Sequence, residues 1–163
     1  MSSDTDDTGG GARDAGSTAD PYRLQRFLEV QDAGTYERAL AELRAGRKRS
    51  HWMWFVFPQL AGLGRSSTAQ QFGIGGLQEA RALLAHPVLG PRLREAATAV
   101  LQARGTAVSV LGEVDALKLR SSATLFLRAA PDEDVWQQVL DRFHDGEADP
   151  LTDALLEGRL SGR

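Results

Sequence analysis

Arginine is followed directly by hydroxyl side chains at two places in the chain, Arg65-Ser66-Ser67-Thr68 and Arg120-Ser121-Ser122, the latter with Thr124 close behind. In each case an apolar helical run follows. A helix start offers unpaired N–H groups and the positive end of the helix dipole, and a guanidinium beside it clamps two oxygens at once. Each stretch therefore has the chemistry to receive a phosphate or carboxylate, although the same residues serve equally as plain helix caps. A third stretch, RKRSHWMW, sets Arg47, Lys48 and Arg49 ahead of His51, Trp52 and Trp54. An imidazole titrates near neutrality, so His51 is a candidate general base or anion holder; a histidine at a helix start beside tryptophans also serves as a core-edge residue. Asp115, one turn before Lys118, is a second candidate base and equally half of an ion pair. The candidate ligand set is Arg49, His51, Trp52, Trp54, Arg65, Ser66, Ser67, Lys118, Arg120, Ser121 and Ser122, with His51 and Asp115 as the candidates for catalysis.

These residues need helices to position them. Asp20 before Pro21 reads as a helix start, with Leu24, Phe27, Leu28 and Val30 on one face. Thr35 repeats the signal ahead of Tyr36, Leu40 and Leu43, and Gly46 is a natural end. The stretch 76–105 splits into two helices at His86-Pro87 and Gly90-Pro91. Pro131 opens another with Asp132, Glu133 and Asp134 at the favoured end of the dipole, and a short helix follows Pro150. HWMWFVF is apolar on every side; a lone strand would have no partner, so the spacing predicts a helix from Ser50 to the residue before Pro58. Its rings are read as core, and two tryptophans two residues apart cannot share a helix face, which leaves one for a ligand. The sum is an all-α single domain of about seven helices over residues 20–158, with a disordered acidic, glycine-rich tail over 1–19 and a short tail over 159–163.

Charge is laid out unevenly. The tail over 1–19 carries the whole formal charge of −3, so the remainder is neutral, which argues against bulk nucleic-acid binding. No acid stands between Glu42 and Glu79, where five cations lie, and none between Ala116 and Pro131, where Lys118, Arg120 and Arg128 lie. Asp132 to Glu157 holds nine acids against Arg142 alone. If the two basic segments share a face they form a positive concavity, with the acidic helices elsewhere. There is no cysteine, which excludes disulfides, zinc–thiolate sites and a thiol nucleophile, and His51, His86 and His144 are too scattered to mark a metal site. Nothing calls for a cofactor. No apolar run is long enough to span a membrane and the start lacks a leader pattern, so the expected location is the cytoplasm. AGLGRSST lacks the spacing and lysine of a phosphate-binding P-loop.

The segments GRKRSHWMWFVFPQLAGLGRSSTAQQFGI, EARALLAHPVLGPRLREAA and DALKLRSSATLFLRA resemble the signatures of the bacterial domain-of-unknown-function family 1810, over about residues 20–158. The resemblance implies a compact all-α fold in which helix pairs stack as an irregular armadillo-like superhelix. It implies no activity, and the calpastatin name given to some members has no support in a chain with a patterned core. Phe72 stands where the family has tyrosine and Ala123 where it has methionine, so a mechanism needing a phenol at 72 is in doubt. The expected function is a binding module for an anionic small molecule such as a nucleotide or ADP-ribose-like compound. The alternatives are a hydrolase acting on such a ligand through His51 or Asp115, and a protein–protein interaction scaffold.

Overall fold

The computed structural model describes residues 20–158, so both expected tails, 1–19 and 159–163, lie outside the described residues. Within them the protein is all-helical, with no strand and nine helices when the kinked first segment is counted as one. That segment runs through α1 (Gln25–Val30), a π-turn (Gln31–Thr35) and α2 (Tyr36–Arg44). Gly34, at φ 100°, makes the kink, and Thr35 lies inside the turn without capping α2. Asp20 does cap, but from a turn further out: its carboxylate accepts from Leu24 N and Gln25 N.

The remaining helices are α3 (Met53–Val56), α4 (Ser67–Phe72), α5 (Leu77–Ala85), α6 (Leu89–Gln102), α7 (Ala107–Leu111), α8 (Glu113–Ala129), α9 (Asp134–Phe143) and α10 (Pro150–Leu156). The longest, α8, packs against α5, α7, α9 and α10, while α6 packs against α2, α3, α5 and α9. Between them lies one core in which Phe27, Trp52, Phe57, Phe126 and Trp136 are fully buried. Each such side chain stabilises the fold by roughly 1.5–3 kcal/mol.

Several helix boundaries differ from the sequence-based expectation. Gly90 and Pro91 do not interrupt a helix but sit in the first turn of α6, where proline is tolerated. A Cβ at Gly90 would lie 2.2 Å from the Leu84 carbonyl oxygen, so the glycine is what lets α6 start against the end of α5. The helix expected at Pro131 begins at Asp134. The greatest difference is α8. Ser121 and Ser122, read as the start of a helix, stand in its interior, and the Ser121 and Thr124 hydroxyls bond the carbonyls four residues back. Among the described residues no helix is long and apolar enough to cross a membrane.

Candidate functional site

HWMWFVF folds as a single turn, α3, and Phe57 ends it before Pro58. Ser50 does not cap this helix. Its hydroxyl donates to Glu42 instead, and the same carboxylate accepts from Arg49 N, Ser50 N and Trp52 Nε1 at 2.7–3.1 Å. Burial works against the charge on Glu42, but these donors outweigh it and bring its pKa from 4.5 down to about 2. Glu42 thus fixes the 47–52 loop and the Trp52 ring. Trp52 is 1% exposed and Trp54 7%, so both are core side chains as expected of these rings, and neither is left over from the core as their spacing on a helix implies, because Trp52 precedes the single turn of α3.

After Pro58 the chain returns along itself. Gln59 O accepts from Ile74 N and Ile74 O from Ala61 N, both at 2.8 Å, around a bridge between Leu60 and Ile74. Gly73 makes this approach possible, since a Cβ there would lie 2.8 Å from Ala61 Cα. The result brings Arg65 and the start of α4 beside α3 and opposite the first half of α8.

Two adjoining cavities lie at this junction, of about 510 and 310 Å³, and Trp54, Ser66 and Lys118 line both. The larger is walled by Arg65, Arg120, Ser121 and Asp149 on its polar side and by Leu63, Val114, Leu117 and Leu151 on its apolar side. The smaller holds Lys48, His51, Trp52, Thr68 and Asp115. Stretches that are far apart in the sequence therefore meet here. Three of the sequence candidates do not take part: Arg49 and Ser67 line neither cavity, and Ser122 is buried in α8 at 1% exposure, its hydroxyl unpaired among the described residues.

The polar groups differ in how free they are. Lys48 Nζ lies 2.8 Å from Asp115 Oδ2, and Lys118 Nζ lies 3.4 Å from Asp115 Oδ1. Lys48 also stands 5.1 Å from the centroid of the Trp52 ring. Arg120 is spent on structure: Nε and Nη2 donate to the carbonyls of Glu147 and Ala148. Ser121 donates to Asp149 Oδ2, which also accepts from Thr152 Oγ1 and caps α10. Ser66 accepts from Ala69 N as the cap of α4. By contrast, the Arg65 guanidinium and the His51 ring have no hydrogen-bond or ion-pair partner among the described residues, and both side chains are exposed.

The expected separation of basic and acidic segments does not hold. Arg120 pairs with Glu147 and Arg128 with Asp153, so the acidic stretch is folded onto the second basic one and cancels two of its three cations. Phe72 is core, 5.5 Å from Phe27 and 4.8 Å from Phe55 between ring centroids, and lines neither cavity. Sequence reasoning missed Lys48 as a lining residue, and also Gln59 and Asp149. Asp149 had a signal, because an acid before proline is a helix cap followed by a first-turn proline. Gln59 had none. Among the described residues no three His, Asp or Glu side chains gather as metal ligands do.

The family model described as a protein of unknown function, DUF1810, matches residues 21–156. No curated protein matches. Among solved structures, the chain is similar to the conserved hypothetical protein Rv1873 from Mycobacterium tuberculosis, at 48% identity and a TM-score of 0.82, over 85% of this chain and 99% of that one.

Proposed function

We propose, for a chain that belongs to the DUF1810 family of proteins of unknown function, that it is a binding module for a small anionic molecule with a flat or apolar part, such as a nucleotide or an ADP-ribose-like compound. The observation that carries this reading is that the two cavities share the Trp54 ring and Lys118 and bring Arg65, unpaired among the described residues, to an apolar wall. Their volumes fall in the range of about 300–1,000 Å³ usual for small-molecule sites. On this reading the protein acts in the cytoplasm, and an armadillo-like stacking of helix pairs supplies the concave face.

A thermal-shift screen against nucleotides, ADP-ribose and sugar phosphates tests it. Wild type should melt higher with at least one of them, since a ligand bound only by the folded state stabilises it, and Arg65→Ala with Lys118→Ala should remove the shift. Arg120 is unsuitable for this purpose because it holds the 147–148 backbone. No shift with any anion would leave the exposed Val114, Leu117 and Leu151 side chains in favour of a protein-interaction surface.

A hydrolase reading has one observation behind it, the unpartnered and exposed His51 ring at the smaller cavity. Asp115 suits that role less, because a carboxylate holding two ammonium groups is engaged as a counter-ion. Turnover lost in His51→Ala with binding retained would establish it; an unchanged rate would end it.

A further inference from the structure

Exposed apolar side chains are unevenly placed in this protein. Among the described residues five large ones are exposed, Val88, Val108, Val114, Leu117 and Leu151, and the last three, at 66%, 63% and 57%, line the larger cavity. A single such residue on a surface needs no explanation, but three that converge from two helices on one hollow mark a binding surface. Val114 and Leu117 stand one turn apart on α8 and share their face with Lys118, so one strip carries two aliphatic groups with a cation beside them. Leu151 of α10 and Leu63 of the loop before α4 extend the wall. Trp54 is the one ring on this lining among the described residues, and at 7% exposure it leaves little face to stack on.

The polar end of the cavity is open to an anion. The Arg65 guanidinium is exposed without a partner among the described residues. Next to it, Ser66 Oγ accepts from Ala69 N, which leaves the hydroxyl proton to donate elsewhere. Lys118 adds a charge that it shares with Asp115 at 3.4 Å. The acid on this lining, Asp149, is 9% exposed, and the Ser121 and Thr152 hydroxyls both donate to its carboxylate.

We propose that the ligand of the larger cavity is an anionic amphiphile: a phosphate or carboxylate held by Arg65 and Ser66, joined to a short aliphatic chain that covers Val114, Leu117 and Leu151. This rests on the anion-site reading above and, of the flat and apolar parts it leaves open, assigns the apolar one. The chain beyond residue 19 is neutral in sum, which favours a free molecule over the surface of an anionic bilayer. Each methylene that leaves water for this wall should tighten binding by about two- to fourfold.

Calorimetric titration with inorganic phosphate, ethyl, butyl and hexyl phosphate and adenosine 5′-monophosphate tests this. The proteins are wild type, Arg65→Ala and the double variant Val114→Thr with Leu117→Gln, whose two positions are exposed and lie outside the core. Wild type should bind hexyl phosphate about tenfold or more tighter than ethyl phosphate, and tighter than the nucleotide. The double variant should bind inorganic phosphate as wild type does and lose most of the rise with chain length. Arg65→Ala should weaken every phosphate by a similar factor. If binding depends on Arg65 but does not rise with chain length, if the rise persists in the double variant, or if the nucleotide binds tighter than hexyl phosphate, the aliphatic assignment is wrong and the anion site stands. If nothing binds, or Arg65→Ala has no effect, the anion site fails and the amphiphile with it. Co-sedimentation with phosphatidylglycerol vesicles without any binding of hexyl phosphate would overturn it too, and give the wall to a membrane surface.

Discussion

Lys48 Nζ and Asp115 Oδ2 are 2.8 Å apart, with side chains only 10% and 16% exposed. This contact ties the loop before α3 to the first turn of α8, and Lys48 N reinforces it by donating to Val110 O. It also means that the smaller cavity holds its own counter-ion. Lys48 faces Asp115 rather than water, and Lys118, 31% exposed, shares the same carboxylate, so their charges are available to a ligand in competition with it.

Asp115→Asn removes the competitor. The variant should lose about 1–3 kcal/mol in chemical denaturation, because Lys48 is left largely buried without its partner. Its affinity for a phosphate ligand should nevertheless rise several-fold by calorimetry. Loss of binding would place Asp115 in contact with the ligand instead.

Arg65 and Arg120 line the same cavity but should respond oppositely to truncation. Arg65→Ala should leave stability within about 0.5 kcal/mol of wild type and weaken anion binding. Arg120→Ala should lower stability by about 1–3 kcal/mol, since it frees two backbone carbonyls of the 147–148 loop and an ion pair. Denaturation curves of both variants, compared with binding of ribose 5-phosphate, separate the two roles.

Glu42 makes stability depend on pH. Its pKa is about 2 in the folded protein against 4.5 in the unfolded chain, so the unfolded state binds the proton first as pH falls. The contribution is complete above 4.5 and disappears as pH drops through about 2. Glu42→Gln should therefore cost about 1–2 kcal/mol at neutral pH, a figure discounted because the side chain is partly open to solvent. Urea denaturation as a function of pH should show the two proteins converging below pH 4.

Gly64 has no room for a side chain: a Cβ would lie 2.7 Å from Ala69 Cβ and 3.0 Å from Trp54 Cζ2. Gly64→Ala should cost about 1–3 kcal/mol, push the Trp54 ring into the cavities and shift tryptophan emission. An unchanged melting temperature and spectrum would mean that α4 moves aside freely.

Much of this arrangement was legible in the chain. Asp20, Pro58 and the apolar stripes act locally, so caps and helix ends follow from residue type, and the rings of 52–57 had to be buried somewhere. The arginine–hydroxyl stretches at 65 and 120 do meet across one cavity, yet their chemistry differs from the expectation. Ser121 and Ser122 are interior residues of α8, whose long apolar face overrides the local preference of serine for caps. The sequence points to Arg120 as an anion clamp, but the loop after α9 brings carbonyl oxygens to it, and no local pattern announces that. Lys48 and Gln59 depend on tertiary contacts: Lys48 meets Asp115 of α8, and Gln59 is placed by the return of the chain at 59–74, made possible by a close approach at Gly73.

The Asp149 network carries one further consequence, for the cooperativity of the fold. Only Thr152 of α10 is fully buried, Leu151 is 57% exposed, and Leu155 and Leu156 pack only partly buried against the core. Polar contacts add a latch: Asp149 with Ser121 and Thr152, Thr124 with Asp149 N, and Arg128 with Asp153. Amide exchange should therefore detect α10 opening as a subunit of the structure, ahead of α6 and α8. One wall of the larger cavity, Asp149 and Leu151, belongs to that subunit. The width of the cavity is thus set by a polar latch, while its floor at Trp54 and Gln59 is buried and should exchange slowly with the core.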